Sequence, residues 1–555
     1  MFSLDNHYLP KNTPKNHRFE DELLNYHYFL EKIIVLQYNE RKGQISLKRG
    51  DKMWQLEIPE GAQPIGYRFL VEKYQIETPA HYRWSYAGPK WEKRKVRIDN
   101  QYLSLHFYPR SFVIENDPFR HLEFALKHEG LNIFIIKKCF LHLHQDKIIN
   151  YILSSPTGKY ARKVWFLFEW LMDVRLPIDN IGRASYVSLV DPNAYYCAHP
   201  IKSPRHRILN NLLGNKNFCP LIRKSTKLRS FEDLHLHDEI VKLASQFNPN
   251  LLSRAMRYLY TKETIASWEI EREKPDKTKQ ARFVALLEKG EKVGGLSKRM
   301  LIEIQKEIVD PRFFLNEYRD FQNYIGEEPT LGEMIVHFIP PKPEDIAFLM
   351  DGLLDCSSKM FSNNISAVII ATVLAFGFVF LHPFWDGNGR LHRFLIHYTL
   401  HKCGFSPKGI VFPISAVILR ELDQYDSILE YFSKPLLTLI NNYTINEKGE
   451  LRVDQKTCDF YRFIDFTPIA EFLYWCIKQT MYTDFEKELH FLSQYDLIKK
   501  SLKDIVDMPE QLIDLFIKCV RQNEGSLSQR KRLSYFSMLT DKEISEMEAV
   551  IQRIV

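Results

Sequence analysis

Cysteine is sparse in this chain, and its distribution suggests neither a metal site nor a disulfide framework. The eight cysteines among 555 residues are scattered, with no C-x-x-C pair. Such scattering is typical of reduced intracellular thiols and argues against structural zinc. Long internal repeats and low-complexity tracts are also lacking in the sequence. For a chain of this length we therefore expect three or four ordinary packed units.

A strong excess of one charge sign is lacking as well. The 76 basic and 69 acidic residues leave a net charge of +7, with a pI near 8.7. A dedicated nucleic-acid coat protein carries a much denser positive field. The N-terminus has no basic start followed by an apolar stretch, the pattern of a secretory signal. We expect a cytoplasmic protein, for which DNA contact is permitted but not required and an oligomeric state is left open.

One apolar run is long enough to need an explanation. The 17 residues from Ile365 to Leu381 carry no charge, which is the lower edge of membrane-spanning length. Ser366, Thr372 and Gly377 interrupt the run, and it leads directly into polar residues. A helix that is apolar on all sides is also what a buried central helix looks like. We therefore predict a buried helix and no membrane contact.

The patterns along the chain divide it into four regions. Residues 1–130 mix short alternating runs, such as Met53–Ile58 and Tyr102–Phe107, with helical patches, which predicts a mixed α/β region. Residues 131–235 are helical and rich in loops, and residues 236–440 are mainly helical. Residues 441–555 predict a helical module, for which a winged-helix arrangement and a plain helical cap are both open.

The chemistry is concentrated between His382 and Arg393, in the sequence HPFWDGNGRLHR. Phosphoryl or nucleotidyl transfer needs a base, a divalent metal and fixed donors around the phosphate oxygens. His382 can accept a proton near neutral pH, and Asp386 can hold Mg²⁺, which prefers oxygen ligands. Candidate phosphate-binding groups follow at once: Gly387, Asn388, Gly389, Arg390 and Arg393. Because a helix is predicted to begin here, the turn resembles the anion sites at helix N-termini.

The alternative is that a glycine-rich turn joins two core helices and that its charges only cap them. That explanation is sufficient for a single residue. It is weak for eight specified positions at fixed spacing, because a chance match to such a pattern is rare where a match to a lone GxGxxG is common. The stretch is therefore interpreted as a functional site.

The stretch resembles the signature of Fic-domain proteins, H-x-F-x-[D/E]-G-N-G-R-x-x-R, at every specified position. Similarity extends over roughly residues 250–435, including the segment 321–326 and the pair Pro340–Pro341. The resemblance implies a mainly α fold, with a helical Fic core and a short β-hairpin flap beside the N-terminal α+β region and the C-terminal module. It also implies transfer of AMP from ATP, with Mg²⁺, to a hydroxyl side chain of a target protein.

The resemblance also assigns roles to individual residues. His382 is the catalytic base, with Asn388 and Arg390 completing the catalytic set, and Phe384 anchors the loop. Asp386 holds the metal. The turn residues form the anion hole, and Arg393 binds the γ-phosphate. The strand predicted at Glu333–Ile339 corresponds to the flap, and its candidate target-docking residues are Ile335, Val336, His337 and Phe338.

Regulation is implied by a second pattern upstream. Inhibitory helices of the family carry [S/T]-x-x-x-E-[G/N], and the predicted helix 262–272 contains Ser267 and Glu271 at this spacing, with Arg272 at the usual Gly/Asn position. We expect Glu271 to pair with Arg393 and to occupy the donors that the γ-phosphate needs. The alternative is an amphipathic helix whose acidic residues face water.

Two other functions are left open. A related transferase could use another nucleotide, or a phosphodiester such as CDP-choline, because the motif contacts phosphates and says little about the base. A nucleic-acid-binding regulator could carry the Fic domain as a secondary unit, with the basic cluster Arg530–Arg532 contacting DNA.

Overall fold

Helices dominate the structure, a computed structural model that describes residues 58–98, 101–289, 294–330 and 333–554. The predicted strand at Met53–Ile58 lies almost entirely outside the described residues, as does the N-terminus. The α-helices are α1 (Tyr67–Tyr74), α2 (Pro118–His128), α3 (Ile133–His142), α4 (Gln145–Ser154), α5 (Lys159–Met172), α6 (Thr226–Glu232), α7 (Leu236–Ser245), α8 (Pro249–Ile270), α9 (Lys277–Lys289), α10 (Lys298–Ile308), α11 (Pro343–Ser362), α12 (Ala367–Ala371), α13 (Gly377–Leu381), α14 (Asn388–Lys402), α15 (Ile414–Arg420), α16 (Leu422–Leu439), α17 (Thr467–Gln479), α18 (Glu486–Ile505), α19 (Glu510–Gln522), α20 (Gln529–Tyr535) and α21 (Asp541–Ile554).

The strands form small sheets. They are β1 (Gln63–Ile65), β2 (Arg83–Gly88), β3 (Glu92–Ile98), β4 (Gln101–Pro109), β5 (Val187–Ser188), β6 (Ile201–Ser203), β7 (Ile208–Asn210), β8 (Ile325–Thr330), β9 (Glu333–Phe338), β10 (Tyr443–Ile445) and β11 (Leu451–Val453). The N-terminal sheet has the order β1-β2-β4-β3, in which β2 and β4 are parallel. Its strand β4 contains the predicted run Tyr102–Phe107. Helices α1 and α2 accompany this sheet, which confirms an α+β region in the N-terminal part of the chain.

The apolar run is a buried helix, as predicted. Each residue from Ala367 to Leu381 is buried. Helices α12 and α13 are joined by a π-helical turn at Thr372–Phe376, so the segment continues without a break. Among the described residues, no helix is both long and apolar enough to cross a membrane. The run therefore forms the centre of the core, against α11 and α14.

Helix α8 differs from its prediction. The sequence predicts a helix at 262–272, but the helix begins much earlier and runs from Pro249 to Ile270. Asn248 caps it, because its side chain accepts a hydrogen bond from the Leu251 N–H, and proline suits the first helical position. Nothing between residues 250 and 270 is a helix breaker. The predicted inhibitory segment 262–272 is therefore the C-terminal part of a longer helix.

The C-terminal module is helical. Residues 486–554 form α18 to α21 around a hydrophobic cluster of their own, with Phe516, Ile517 and Met547 at its centre. The region predicted at 441–555 as a helical module begins with the antiparallel pair β10–β11, and its described residues after 466 contain no β-strand. Thr540 and Glu543 form a capping box, in which the Glu543 N–H donates to Thr540 Oγ1 and Glu543 Oε2 accepts from the Thr540 N–H.

Candidate active site

The candidate site lies in the turn between α13 and α14. Its backbone is unusual at two positions, since His382 has φ 48° and Gly387 has φ 85°. Glycine is required at position 387 for a second reason: a Cβ atom there would lie 2.5 Å from Val309 Cγ2. The positive φ values reverse the chain tightly enough for α14 to begin at Asn388.

The His382 ring is oriented by the helix that precedes it. The residue is 4% exposed, and its Nδ1 lies 3.4 Å from the carbonyl oxygen of Val379. Because a carbonyl can only accept, Nδ1 is the nitrogen that carries the hydrogen of the neutral ring. That tautomer leaves Nε2 as the nitrogen that can accept a proton, which is the requirement for a base.

Phe384 and Asn388 close the loop. The Phe384 N–H donates to Asn388 Oδ1 at 3.1 Å, and Asn388 Nδ2 donates to the Phe384 carbonyl at 2.9 Å. The Phe384 side chain is fully buried, as expected for an anchor. The Asn388 amide thus holds the shape of the loop, and the donors available for an anion are the main-chain N–H groups at the start of α14.

Asp386 and Arg390 form a buried ion pair. Asp386 Oδ1 lies 2.7 Å from Arg390 Nη2, and the two side chains are 8% and 4% exposed. Asp386 Oδ1 also accepts a hydrogen bond from the Gly387 N–H. The described residues contain no group of three or more His, Cys, Asp or Glu side chains that could hold a metal. A single carboxylate does fit a magnesium ion whose other ligands are phosphates and water.

Arg393 is held by helix α8. Its Nε donates to Ser267 Oγ at 2.8 Å, and its Nη2 donates to the Ser267 carbonyl at 2.6 Å and to Glu271 Oε1 at 2.7 Å. The Arg393 side chain is 1% exposed and that of Glu271 is 11% exposed. Gly389 makes this approach feasible, because a Cβ atom there would lie 2.2 Å from Glu271 Oε1. The structure therefore brings the predicted pair together, in a buried setting.

A second glutamate from the same segment contacts the other motif arginine. Glu273 Oε2 lies 3.1 Å from Arg390 Nη1. The Arg390 guanidinium also lies over the Trp268 ring, 5.5 Å from its centroid, a cation–π arrangement. Neither Glu273 nor Trp268 was among the predicted site residues. The segment after α8 thus contacts both arginines of the motif.

The end of α8 explains how Glu271 and Glu273 reach their arginines. The Glu273 N–H donates to the Trp268 carbonyl at 3.0 Å, and the Arg272 N–H donates to the Glu269 carbonyl at 2.9 Å. These two hydrogen bonds form a Schellman motif, in which the residue after the C-cap adopts a left-handed conformation. Arg272 is that residue, with φ 58°. Glycine or asparagine is common at such a position because a larger residue is strained there, by about 1–2 kcal/mol.

A further polar contact joins α8 to α14 behind the site. His397 Nε2 lies 2.8 Å from Glu263 Oε1, and Glu263 Oε2 accepts from the Ser415 N–H at 2.7 Å. Glu263 is fully buried. Glu263, Ser267 and Glu271 follow one another at intervals of four residues, so they lie along one face of α8 and its C-terminal end. Along this face, Glu263 contacts His397, and Ser267 and Glu271 contact Arg393.

The predicted flap is a hairpin. Strand β9 pairs with β8 in antiparallel register, with irregularities after Ile325 and after Glu327. Its predicted docking residues divide between two faces. Ile335 is 45% exposed, and His337 Nε2 lies 3.2 Å from Glu327 Oε1, whereas Val336 and Phe338 are buried. Of the four predicted docking residues, only Ile335 and His337 are therefore placed to offer a side chain to a target.

The basic cluster of the C-terminal module lies on α20. Arg530 and Lys531 are exposed, and Arg532 forms an ion pair with Asp541. The following helix, α21, carries more acidic than basic residues, which does not favour contact with a phosphate backbone. DNA contact by this module stays a prediction.

Comparison with known proteins agrees with the site. Residues 295–400 match the Fic/DOC family. The protein adenylyltransferase Fic of Drosophila willistoni is 33% identical over 91 residues, which are 16% of this chain and 16% of that protein. The protein adenylyltransferase Fic of Nematostella vectensis is 27% identical over 128 residues, 23% of this chain and 26% of that protein. The chain thus spans between about a sixth and a quarter of the length of these relatives.

Two solved structures are also similar. A Fic family protein from Desulfovibrio desulfuricans G20 has 17% sequence identity and a TM-score of 0.33, covering 59% of this chain and 84% of that chain. A Fic domain containing signaling protein from Bacteroides thetaiotaomicron VPI-5482 has 18% identity and a TM-score of 0.28, covering 47% of this chain and 94% of that chain.

Proposed function

Because this chain carries a Fic/DOC family domain at residues 295–400, we propose that it is a protein adenylyltransferase that transfers AMP from ATP to a Ser, Thr or Tyr hydroxyl of a target protein. The observation that carries the proposal is the convergence of a base and two arginines on one helix N-terminus. All three are buried: His382 follows the end of α13, and Arg390 and Arg393 lie in the first turns of α14. Relatives named protein adenylyltransferase match 91 residues of this chain.

The proposed reaction uses each group in one role. His382 Nε2 takes the proton from the target hydroxyl, and the freed oxygen attacks the α-phosphorus of ATP. The bond between the α-phosphorus and its bridging oxygen breaks, and pyrophosphate leaves. The N–H groups at the start of α14 stabilise the charge on the phosphate oxygens. Arg390 and Arg393 bind the distal phosphates, which positions the α-phosphorus next to His382.

Mg²⁺ fits this site through Asp386. When bound, it would neutralise phosphate charge and favour departure of pyrophosphate. The Asp386 carboxylate is already fixed by Arg390 and by the Gly387 N–H. Asp386 would be the residue that holds the ion, and the ion would supply positive charge next to the phosphates.

The flap is proposed to hold the target by strand addition. Strand β9 pairs with β8 on one edge, and its other edge can pair with an extended segment of the target. Ile335 is the exposed side chain of this strand and can contact the target beside that segment. Such pairing uses main-chain groups, so it fits many target sequences.

The enzyme is proposed to be autoinhibited. Glu271 occupies the Nη2 donor of Arg393, and Glu273 occupies the Nη1 donor of Arg390. The γ-phosphate must displace Glu271 before ATP can bind productively. The two glutamates belong to one turn, which supports a single blocking segment.

One experiment tests the function and the donor together. The Glu271→Gly variant is incubated with each nucleotide triphosphate, with CDP-choline and with a cell lysate, and modified proteins are analysed by mass spectrometry. Addition of AMP from ATP is expected, and the double variant with His382→Ala is expected to add none. A different added mass would identify another donor, and equal labelling in both variants would disprove the assigned role of His382.

A further inference from the structure

A buried arginine connects the flap to the catalytic loop. Arg319 lies before strand β8, outside the signature motif, and it is 2% exposed. Burial lowers the pKa of Arg319 to about 9, so its guanidinium is still charged at neutral pH. A buried charge is tolerated only where its donors are well satisfied, and the partners of Arg319 show what it holds.

All three guanidinium nitrogens donate to main-chain carbonyls. Nε donates to the His382 carbonyl at 2.9 Å, Nη1 to the Phe321 carbonyl at 2.6 Å, and Nη2 to the Pro341 carbonyl at 2.6 Å. The Arg319 N–H donates to the Pro383 carbonyl at 2.9 Å. Phe321 precedes the flap and Pro341 follows it. One side chain therefore joins both ends of the flap to the backbone of the catalytic histidine.

The contact with His382 matters because that residue is strained. Its φ of 48° and ψ of 57° are left-handed, a conformation that is strained for a residue with a Cβ. A charge-assisted hydrogen bond to its carbonyl is stronger than a neutral one. Such a bond can hold the strained peptide, and with it the direction of the imidazole ring, in place.

From these contacts we infer that Arg319 is a positioning residue, which fixes His382 and the flap relative to each other so that an acceptor held by β9 meets the base. The inference rests on the proposed transferase function. It assigns Arg319 no contact with ATP or with the target. The relevant property is the planar fork of the guanidinium, because a lysine ammonium cannot reach three carbonyls in fixed directions.

The test compares two Arg→Lys substitutions in the Glu271→Gly background. Arg319→Lys keeps the charge and loses the fork. Arg162→Lys is the matched control, because Arg162 is also buried and also donates to main-chain carbonyls, those of Ser185 and Arg207, but lies on α5, outside the Fic domain. Rates of auto-modification with labelled ATP are divided by the number of ATP-binding sites, so that unfolded protein does not contribute.

Arg319→Lys is expected to lower kcat by roughly 10- to 100-fold, the effect of displacing a catalytic group by about 1 Å, with the Kd for ATP unchanged within about two-fold. Arg162→Lys is expected to leave kcat unchanged. Equal kcat in Arg319→Lys and its parent, equal losses in both Lys variants, or a loss confined to ATP affinity would overturn the inference. Arg319→Gln, which keeps two donors, replaces the Lys variant if that variant does not fold.

Hydrogen–deuterium exchange separates this inference from the proposed function. Arg319→Lys should accelerate exchange in both the flap ends and the catalytic loop, and Arg162→Lys in neither. If the Glu271→Gly parent transfers nothing, the proposed function fails. Hydrogen–deuterium exchange still tests whether Arg319 joins the flap ends to the catalytic loop. Acceleration in only one of the two segments, or in neither, would overturn it.

Discussion

Replacement of Glu271 by glycine should increase the activity of the enzyme by an amount that the Arg393 contacts allow us to estimate. The substitution removes one charge-assisted hydrogen bond, which joins two side chains that are 1% and 11% exposed. Hydrogen bonds to charged groups contribute about 1.5–3 kcal/mol. Because about 1.4 kcal/mol corresponds to a factor of ten, kcat/KM for ATP should rise roughly 10- to 150-fold. Arg393 keeps its two bonds to Ser267, so the variant should remain folded.

The assay is auto-modification with α-labelled ATP at concentrations well below KM. Glu269→Gly is the matched control, because it places glycine in the same helical turn at an exposed position. Any loosening of the helix end by glycine affects both variants, whereas only Glu271→Gly removes the ion pair between Glu271 and Arg393. The reasoning is refuted if kcat/KM in Glu271→Gly equals that of the wild type, or if Glu269→Gly raises it by the same factor.

Three further predictions concern neighbouring and distant residues. Arg272→Gly should relieve the strain of the left-handed turn and stabilise the blocked state by about 1 kcal/mol, so that the wild-type rate of auto-modification falls about five-fold. Glu273→Ala should raise kcat/KM by no more than about five-fold, because the Glu273 side chain that pairs with Arg390 is 44% exposed. A larger rise would contradict the expectation that Glu273 contributes less to the block than Glu271. Glu129 is buried, and desolvation raises its pKa to about 7 from 4.5, so the folded state binds its proton more tightly than the unfolded state. Stability should therefore fall as pH rises from about 4.5 to 7, and Glu129→Gln should reduce this fall by roughly 3 kcal/mol in denaturant unfolding; an unchanged pH dependence would contradict the assignment.

The candidate site could be located from sequence because it consists of particular residue types at fixed spacing in one stretch. The buried helix before it could also be predicted, because fifteen consecutive buried positions leave a continuous apolar run. Glu271 was found for the same reason, through a short local pattern. In each case the information lies in one short continuous stretch of the chain.

Glu273 and Arg319 could not be found in this way. Glu273 reaches Arg390 only because the chain reverses at Arg272, and a non-glycine residue gives no sign of a positive φ. The partners of Arg319 are main-chain carbonyls, and a carbonyl is present at every position of every sequence. The continuity of α8 was missed as well, because residue spacing locates helix ends poorly.

The position of Glu271 one residue beyond the end of α8 has a kinetic consequence. Terminal turns of helices open and close in nanoseconds to microseconds, whereas a typical enzyme turns over in milliseconds or longer. Under the proposed autoinhibition, the turn at Glu271 should open and close many times in each catalytic cycle, so that ATP encounters a rapid pre-equilibrium. Progress curves of the wild-type enzyme should begin without a lag, and an activating signal should act by changing the open fraction.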